Sequence, residues 1–357
     1  MKFKNLPMVS HVMFGRDSFY QIEKIILSKR INNFPIIFFL DIFFKKSKLI
    51  NSIPLHGNDK LIFINTKFEP TTNLVDYIRD ELKKEFGQIS GIIGIGGGSV
   101  MDMTKAVSLM MNNTGSSVDY QGWDLIKNPG VYHACIPTLS GSGSEVSRTA
   151  VLTSPIQKLG INSDYTPFNQ VILDPNLLKN VPKNQRFYTG MDCYIHCIES
   201  LNGKKINNFA KIYGEKSLDL CKKVFLYNKT WTLESDEDLM MASWHGGMSI
   251  AYSQVGICHA LSYGLSYVLG IKHGIANCII FNQLEEFYPN SVLEFKKMVE
   301  KNEIFIPNNL CSNLDDEKFN TMISISMKMS PLWENALGYQ WKNIISKKKI
   351  RKIYENI

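Results

Sequence analysis

Four residues in the second half of the chain carry the strongest chemical signal. Asp192 and His196 lie four apart in an apolar, helix-like stretch, GMDCYIHCIESL. That spacing puts both side chains on one helix face, a turn apart, where a carboxylate and an imidazole can reach one cation. The pair alone fits a capping aspartate beside an unrelated histidine better than a metal site. His259 and His273 narrow the choice. His259 sits in GICHALSYGLSYVLG, a run of small and apolar residues in which an unpartnered imidazole is costly. His273 follows the end of that helix and precedes Gly274, where a loop can turn its ring back. One carboxylate with three imidazoles suits a borderline divalent ion, Fe(II) or Zn(II).

Two glycine-rich segments in the first half point to a phosphate-bearing ligand. Gly96-Gly97-Gly98-Ser99 follows the apolar run GIIGI and precedes a helix expected over Met101–Met111. Glycines let the backbone approach a phosphate, and a helix N-terminus offers N–H groups and the positive end of its dipole. This is not the G-x-G-x-x-G pattern, and a tight turn with no ligand would look the same. Asp102, expected in the first helical turn, also suits the dipole alone. The second segment is PTLSGSGSE, from Pro137 to Glu145, whose hydroxyls and backbone could wrap a cofactor or form an ordinary loop ending in a cap.

The elements that must position these residues fall into two textures. PIIFFLD, KLIFINT, SGIIGIG, HACIPTLS and QVILDP read as strands, and TTNLVDYIRDELKKEF puts Leu74, Ile78, Leu82 and Phe86 on one helical face. Alternating strands and helices imply an N-terminal α/β domain with a doubly wound, mostly parallel sheet. From about residue 182 nearly everything reads as helix, an all-α second half. The boundary is therefore placed at 180, giving an α/β dinucleotide-binding domain over 1–180 and a helical metal-binding domain over 181–357. The active site is expected in the cleft between two such halves.

Composition excludes several classes. The chain has 357 residues, 44% of them hydrophobic and 20% charged, enough for a large core and too ordered a mixture for disorder. Seven scattered cysteines read as buried thiols in a reducing compartment, and Cys193 and Cys197 have no second pair at zinc-site spacing. The N-terminal stretch MKFKNLPMVSHVMFG lacks the apolar core of a signal peptide, and FPIIFFLDIFF is too short to span a bilayer. A cytoplasmic protein without a membrane partner follows. The net charge of +7 is modest, and the lysines of KNIISKKKIRKIYENI read as a solvated helix face, not a nucleic-acid site.

Together these motifs resemble the iron-containing, group III alcohol dehydrogenases. The resemblance rests on Asp192-x3-His196, sixty-two residues between His196 and His259, and thirteen between His259 and His273. GGGS-x-x-D, P-T-x-x-G-x-G-S-E and the LDP ending the α/β half occur in the family's order, over about residues 5–290. It implies the dehydroquinate synthase-like architecture, with Asp192, His196, His259 and His273 as metal ligands. It implies NAD, its pyrophosphate held by Gly97, Gly98 and Ser99, with Asp102 closing that motif and Thr138, Ser142 and Lys158 lining the cofactor site. Asp41 stands where the family places an acid on the adenosine ribose, which favours NAD over NADP. DYQGWDL, GINSDYTPF and YTGMDCYIHCIESLNG resemble the branch that oxidises the C8 hydroxyl of 3-deoxy-D-manno-octulosonate (Kdo). That implies an aldehyde product ahead of transamination to 8-amino-Kdo in lipopolysaccharide synthesis, hence functional pairing with an aminotransferase. Arg148 and Arg186 are candidates for the substrate carboxylate. A homo-oligomer fits as well as a monomer.

There are departures from the family. Many members carry a histidine four residues after the third ligand, a proton relay; here it is Tyr263, whose phenol could substitute or merely pack. The C-terminal region is short, and His245 reads as structural. Two other activities suit the same motifs: a general NAD-dependent alcohol or diol dehydrogenase, and a sugar-phosphate cyclase. The cyclases usually have a glutamate as first ligand and a basic cluster near the metal, and this segment has neither.

Overall fold

The computed structural model describes residues 7–357; residues 1–6, part of the stretch read as lacking a signal-peptide core, lie outside the described residues. Two compact units form, one from the described residues up to Leu139 with Ser144–Asn180, the other from Ser140–Gly143 with Val181–Ile357.

The first unit is an open parallel sheet of six strands. In chain order its elements are β1 (His11–Phe14), α1 (Ile22–Leu27), β2 (Ile36–Asp41), β3 (Lys60–Ile64), α2 (Thr72–Phe86), β4 (Gly91–Gly96) and α3 (Gly98–Met111). They continue with β5 (Gly122–Trp123), β6 (Tyr132–Pro137), β7 (Thr149–Thr153), β8 (Lys158–Asn162) and β9 (Gln170–Leu173). The sheet order is β1-β9-β6-β4-β2-β3, with every pairing parallel. β5, β8 and β7 make a second, three-stranded sheet.

Period-two alternation explains why β2 is apolar throughout. Ile37 and Phe39 join a core with Val75, Ile78 and Leu82 of α2 and Met103, Val107 and Met110 of α3. Ile36, Phe38 and Leu40 face the opposite core with Phe19, Ile22 and Ile26. A strand covered on both faces has no polar side to show. Each of these buried side chains stabilises the fold by about 1.5–3 kcal/mol relative to exposure. Close approach of α3 to the sheet needs glycine: a Cβ on Gly94 would meet Thr104 Oγ1 at 2.2 Å, and one on Gly96 would meet Val100 Cγ2 at 2.5 Å.

The second unit is helical: α4 (Lys183–Leu201), α5 (Asn208–Lys222), α6 (Leu233–Tyr252), α7 (Ile257–Leu269), α8 (His273–Phe281), α9 (Pro289–Lys301), α10 (Asp316–Lys328), α11 (Ser330–Leu337) and α12 (Lys347–Glu355). α4 is its axis, buried at nearly every residue from Phe187 to Ser200. The lysine-rich C-terminus forms α12. Ile350, Ile353 and Tyr354 are buried, and the Tyr354 hydroxyl donates to Leu261 O at 2.7 Å. On it Lys349 pairs with Glu286, and Arg351 with Asp316 and Glu355. All seven cysteines are buried and free. Among the described residues no helix is long and apolar enough to cross a membrane.

Three sequence expectations need correction. α3 begins at Gly98, not Met101, so Gly98 and Ser99 are its first residues and Asp102 lies in the second turn. Glycine's poor helix propensity hid that start. His273 is the first residue of α8 and not a loop residue. β1, β5 and the β7–β8 hairpin were not foreseen: β1 is mostly exposed, β5 has two residues, and β8 breaks its alternation at Gly160 and Ile161.

Candidate functional site

Asp192 and His196 project from α4, His259 from the first turn of α7 and His273 from the start of α8. Asp192 Oδ1 lies 3.6 Å from His196 Nε2, 3.4 Å from His259 Nε2 and 3.7 Å from His273 Nε2. A tetrahedron with metal–ligand distances of about 2.0–2.2 Å has edges of about 3.3–3.6 Å, so these separations fit one small cation at its centre. All four ligand atoms lie within 4.8 Å of one another. Among the described residues no other group of histidine, cysteine and acidic side chains meets that criterion. The rings of His196 and His259 stack at 4.6 Å, and that of His273 tilts against His259 at 5.3 Å.

Electrostatics favour positive charge here. Burial would raise the Asp192 carboxyl, but the imidazoles, His196 foremost, outweigh it and hold it well below the usual range. Burial works against a charged His259 as well, yet Glu199 and then Asp192 push it up to about 9. His196 is lowered by burial, against the pull of Asp192. Two further side chains complete the centre, and the sequence reading passed over both. Glu199 lies 2.5 Å from His259 Nδ1 through Oε2. The Asn277 amide donates to Asp192 Oδ1 at 2.6 Å and lies 3.1 Å from Nε2 of both His259 and His273. Both were findable: Asp192, His196 and Glu199 follow an i, i+4, i+7 helical spacing, and Asn277 is one turn beyond His273.

Tyr263 is buried on α7 and sets its ring 5.8 Å from that of His273. His245 stacks on Tyr213 at 5.8 Å, a packing role. The two arginines offered for a substrate carboxylate are already engaged. Arg148 pairs with Asp124 at 2.5 Å and Asp164 at 2.7 Å, joining the DYQGWDL and GINSDYTPF segments. Arg186 faces Asp236 at 3.3 Å and stacks over Trp231. Their charges are answered within the protein, so neither stands ready for a substrate anion.

In the α/β unit Asp41, Gly97–Ser99 and Thr138 lie at the C-terminal ends of β2, β4 and β6, neighbouring strands of the six-stranded sheet, whereas Lys158 and Ser142 lie outside that edge. Asp41 ends β2 and Gly97–Ser99 follow β4, its paired neighbour. The chain places β3 on one side of β2 and β4 on the other, so strand order reverses there, and such a reversal opens a ligand crevice. Asp41 accepts from Phe43 N–H at 3.0 Å and the Thr66 hydroxyl at 2.9 Å. Gly97 precedes α3 with no side-chain cap; its carbonyl accepts from Val100 and Met101 N–H, so Gly98 and Ser99 carry the helix-start donors that have no intrahelical acceptor. Thr138 N–H donates to Gly96 O at 3.0 Å, holding the end of β6 beside that turn. Lys158 is buried at the start of β8, 3.5 Å from Glu69. Ser142 belongs to the Ser140–Gly143 segment that packs with the helical unit.

Asp102 has a structural bond instead of a dipole role: its Oδ1 accepts from Ser144 at 2.7 Å. Burial raises its carboxyl to about 6 against the pull of Lys105. Lys105, lowered to about 8 by burial, donates to Ser147 O at 2.9 Å and Thr149 O at 3.0 Å. These two α3 side chains anchor the segment that follows PTLSGSG.

Residues 10–175 match the model of the iron-containing alcohol dehydrogenases, and residues 186–329 that of the C-terminal region of the Fe-containing alcohol dehydrogenase family. A sulfoacetaldehyde reductase of Bilophila wadsworthia is 31% identical over 226 residues, 62% of this chain and 57% of that protein. The chain spans little more than half the length of the first curated relatives it matches. An alcohol dehydrogenase from Oenococcus oeni superposes with a TM-score of 0.83 at 20% identity, covering 99% of both chains. A sulfoacetaldehyde reductase from Bifidobacterium kashiwanohense, solved in complex with NAD+, gives 0.78 at 21% identity over 99% of this chain and 98% of its own. The chain belongs to the iron-containing alcohol dehydrogenase family.

Proposed function

We propose that the protein is a metal-dependent oxidoreductase that converts an alcohol to an aldehyde with NAD. The observation that carries this reading is the convergence of three imidazole nitrogens on Asp192 Oδ1 at 3.4–3.7 Å. A divalent ion, Fe(II) or Zn(II), fits that donor set. When bound, it supplies Lewis-acid polarisation of the substrate hydroxyl, and the nicotinamide accepts the hydride. The chain's own part is placement. Asp192, His196, His259 and His273 fix the ion, and the Asn277 amide holds the Asp192 carboxylate in orientation. Gly97, Gly98 and Ser99 would receive the pyrophosphate at the start of α3, and the family resemblance assigns Thr138, Ser142 and Lys158 to the same cofactor. Tyr263, whose ring lies 5.8 Å from that of His273, would be the group to pass on the hydroxyl proton. Seven free, buried cysteines suit a reducing, cytoplasmic setting.

Cofactor choice follows from Asp41, whose carboxylate would repel the 2′-phosphate of NADP and accept from the ribose hydroxyl of NAD. Wild type is expected to bind NAD more tightly than NADP, and Asp41→Ser to narrow the gap, as read by fluorescence titration of both cofactors. Equal affinity of wild type for the two removes Asp41 from the site.

For the substrate we propose Kdo, oxidised at its C8 hydroxyl to an aldehyde that an aminotransferase then consumes. The support is the sequence of three segments, DYQGWDL, GINSDYTPF and YTGMDCYIHCIESLNG, with the net charge of +7 suited to an acidic sugar. The first two meet through the β5–β8 pairing and the Arg148 ion pairs. Metal-loaded enzyme with NAD should oxidise Kdo in preference to glycerol and 1,2-propanediol, and a carbonyl reagent should trap the product. Ready turnover of short diols with none of Kdo leaves the general dehydrogenase reading in its place.

A further inference from the structure

We propose that Glu199 is a positioning residue that fixes the tautomer and orientation of His259, and so governs how tightly the centre holds its metal. The proposal rests on the reading of Asp192, His196, His259 and His273 as ligands. Glu199 lies on α4, one turn beyond His196, and its side chain is fully buried. Both its oxygens are committed. Oε2 lies 2.5 Å from His259 Nδ1, and Oε1 accepts from the Cys258 backbone N–H at 2.5 Å. Cys258 is the second residue of α7, whose N-cap, Gly256, gives no side-chain cap. Its N–H is one of the donors that a helix start leaves unmet, and Glu199 meets it from another helix.

A carboxylate can serve both donors because it is acceptor-only. With Nδ1–H donated to Glu199, the lone pair of His259 lies on Nε2, which faces Asp192 Oδ1 at 3.4 Å. The same contact pins the ring and raises its basicity as a ligand. A carboxamide of equal size fails at one end. If its NH2 faces Cys258, two donors confront each other. Facing His259, it makes Nδ1 an acceptor and moves the ring proton to Nε2, where the metal must bind.

The test is Zn2+ affinity of the full chain, measured by competition with a chromophoric chelator, with circular dichroism as the folding control. Glu199→Gln is expected to weaken Zn2+ binding about 10- to 100-fold. His259→Ala should weaken it further, and adding Glu199→Gln to His259→Ala should cost nothing more, because Glu199 acts through that ring. Long-range 1H–15N correlation on Zn2+-loaded wild type should show His259 protonated at Nδ1, a readout independent of whether any variant folds. Unchanged affinity of Glu199→Gln, independent effects in the double variant, or an Nε2–H tautomer overturns the positioning role while leaving the metal reading intact. Wild type without Zn2+ affinity overturns both.

Discussion

His259→Ala should lose its metal and its alcohol-oxidising activity together. The imidazole supplies one of four ligands, and removing it leaves an aspartate and two histidines to hold the ion. Turnover is expected to fall at least about a thousandfold, since polarisation of the hydroxyl depends on the ion's presence and placement. A stability loss should accompany this. His259 is buried, and its removal strands the Glu199 carboxylate, a change typically costing about 3–5 kcal/mol. His273→Ala separates the two effects. That side chain is 24% exposed, so it removes a ligand at smaller cost to folding. Both variants should lack metal by elemental analysis and lack turnover, while only His259→Ala melts much lower. A metal-replete, fully active His259→Ala protein refutes the ligand assignment.

Gly141→Ala carries the largest effect expected on stability alone. Gly141 adopts φ +143°, and a Cβ there would lie 1.6 Å from the Thr189 carbonyl oxygen on α4. Neither atom belongs to a flexible side chain, so the backbone of the loop or of α4 must move. Strain of this kind should cost about 3–5 kcal/mol, lowering the melting temperature by roughly 10 °C for a unit of this size. Gly270→Ala is the control. Gly270 closes α7 at φ +66° with nothing within 4 Å of its would-be Cβ. Only the left-handed backbone penalty applies there, about 1–2 kcal/mol. Equal melting of the two variants would mean that the loop yields freely.

Gly141 also shows where the sequence reading stopped. PTLSGSGSE was legible as either a cofactor loop or an ordinary turn, and the close approach to α4 gives one of its glycines a packing reason that no one-dimensional pattern displays. Strands β2, β4, β6 and β9 were legible because burial on both faces leaves near-continuous apolar runs. β1, with its mostly exposed residues, leaves no such trace. The ligand residues announced themselves through helical spacing and the cost of a histidine among apolar neighbours. Glu199 and Asn277 share that spacing, but their meaning lies in which atoms they meet: an imidazole Nδ1 sixty residues away and a carboxylate on another helix. Arg148 and Arg186 misled for the same reason, since a charge in sequence gives no sign of the acid that answers it in space.

The central claim, that three imidazoles and one carboxylate hold a single divalent ion, is tested most directly by X-ray absorption at the metal edge of the purified, metal-loaded protein. Only nitrogen and oxygen neighbours are expected, at about 2.0–2.2 Å, with the outer-shell pattern of imidazole rings. The chain offers a ready alternative in its seven buried thiols, three of them, Cys193, Cys197 and Cys258, adjacent in sequence to ligands. A sulfur shell at about 2.3 Å, or a metal spectrum lacking imidazole, would contradict the assignment.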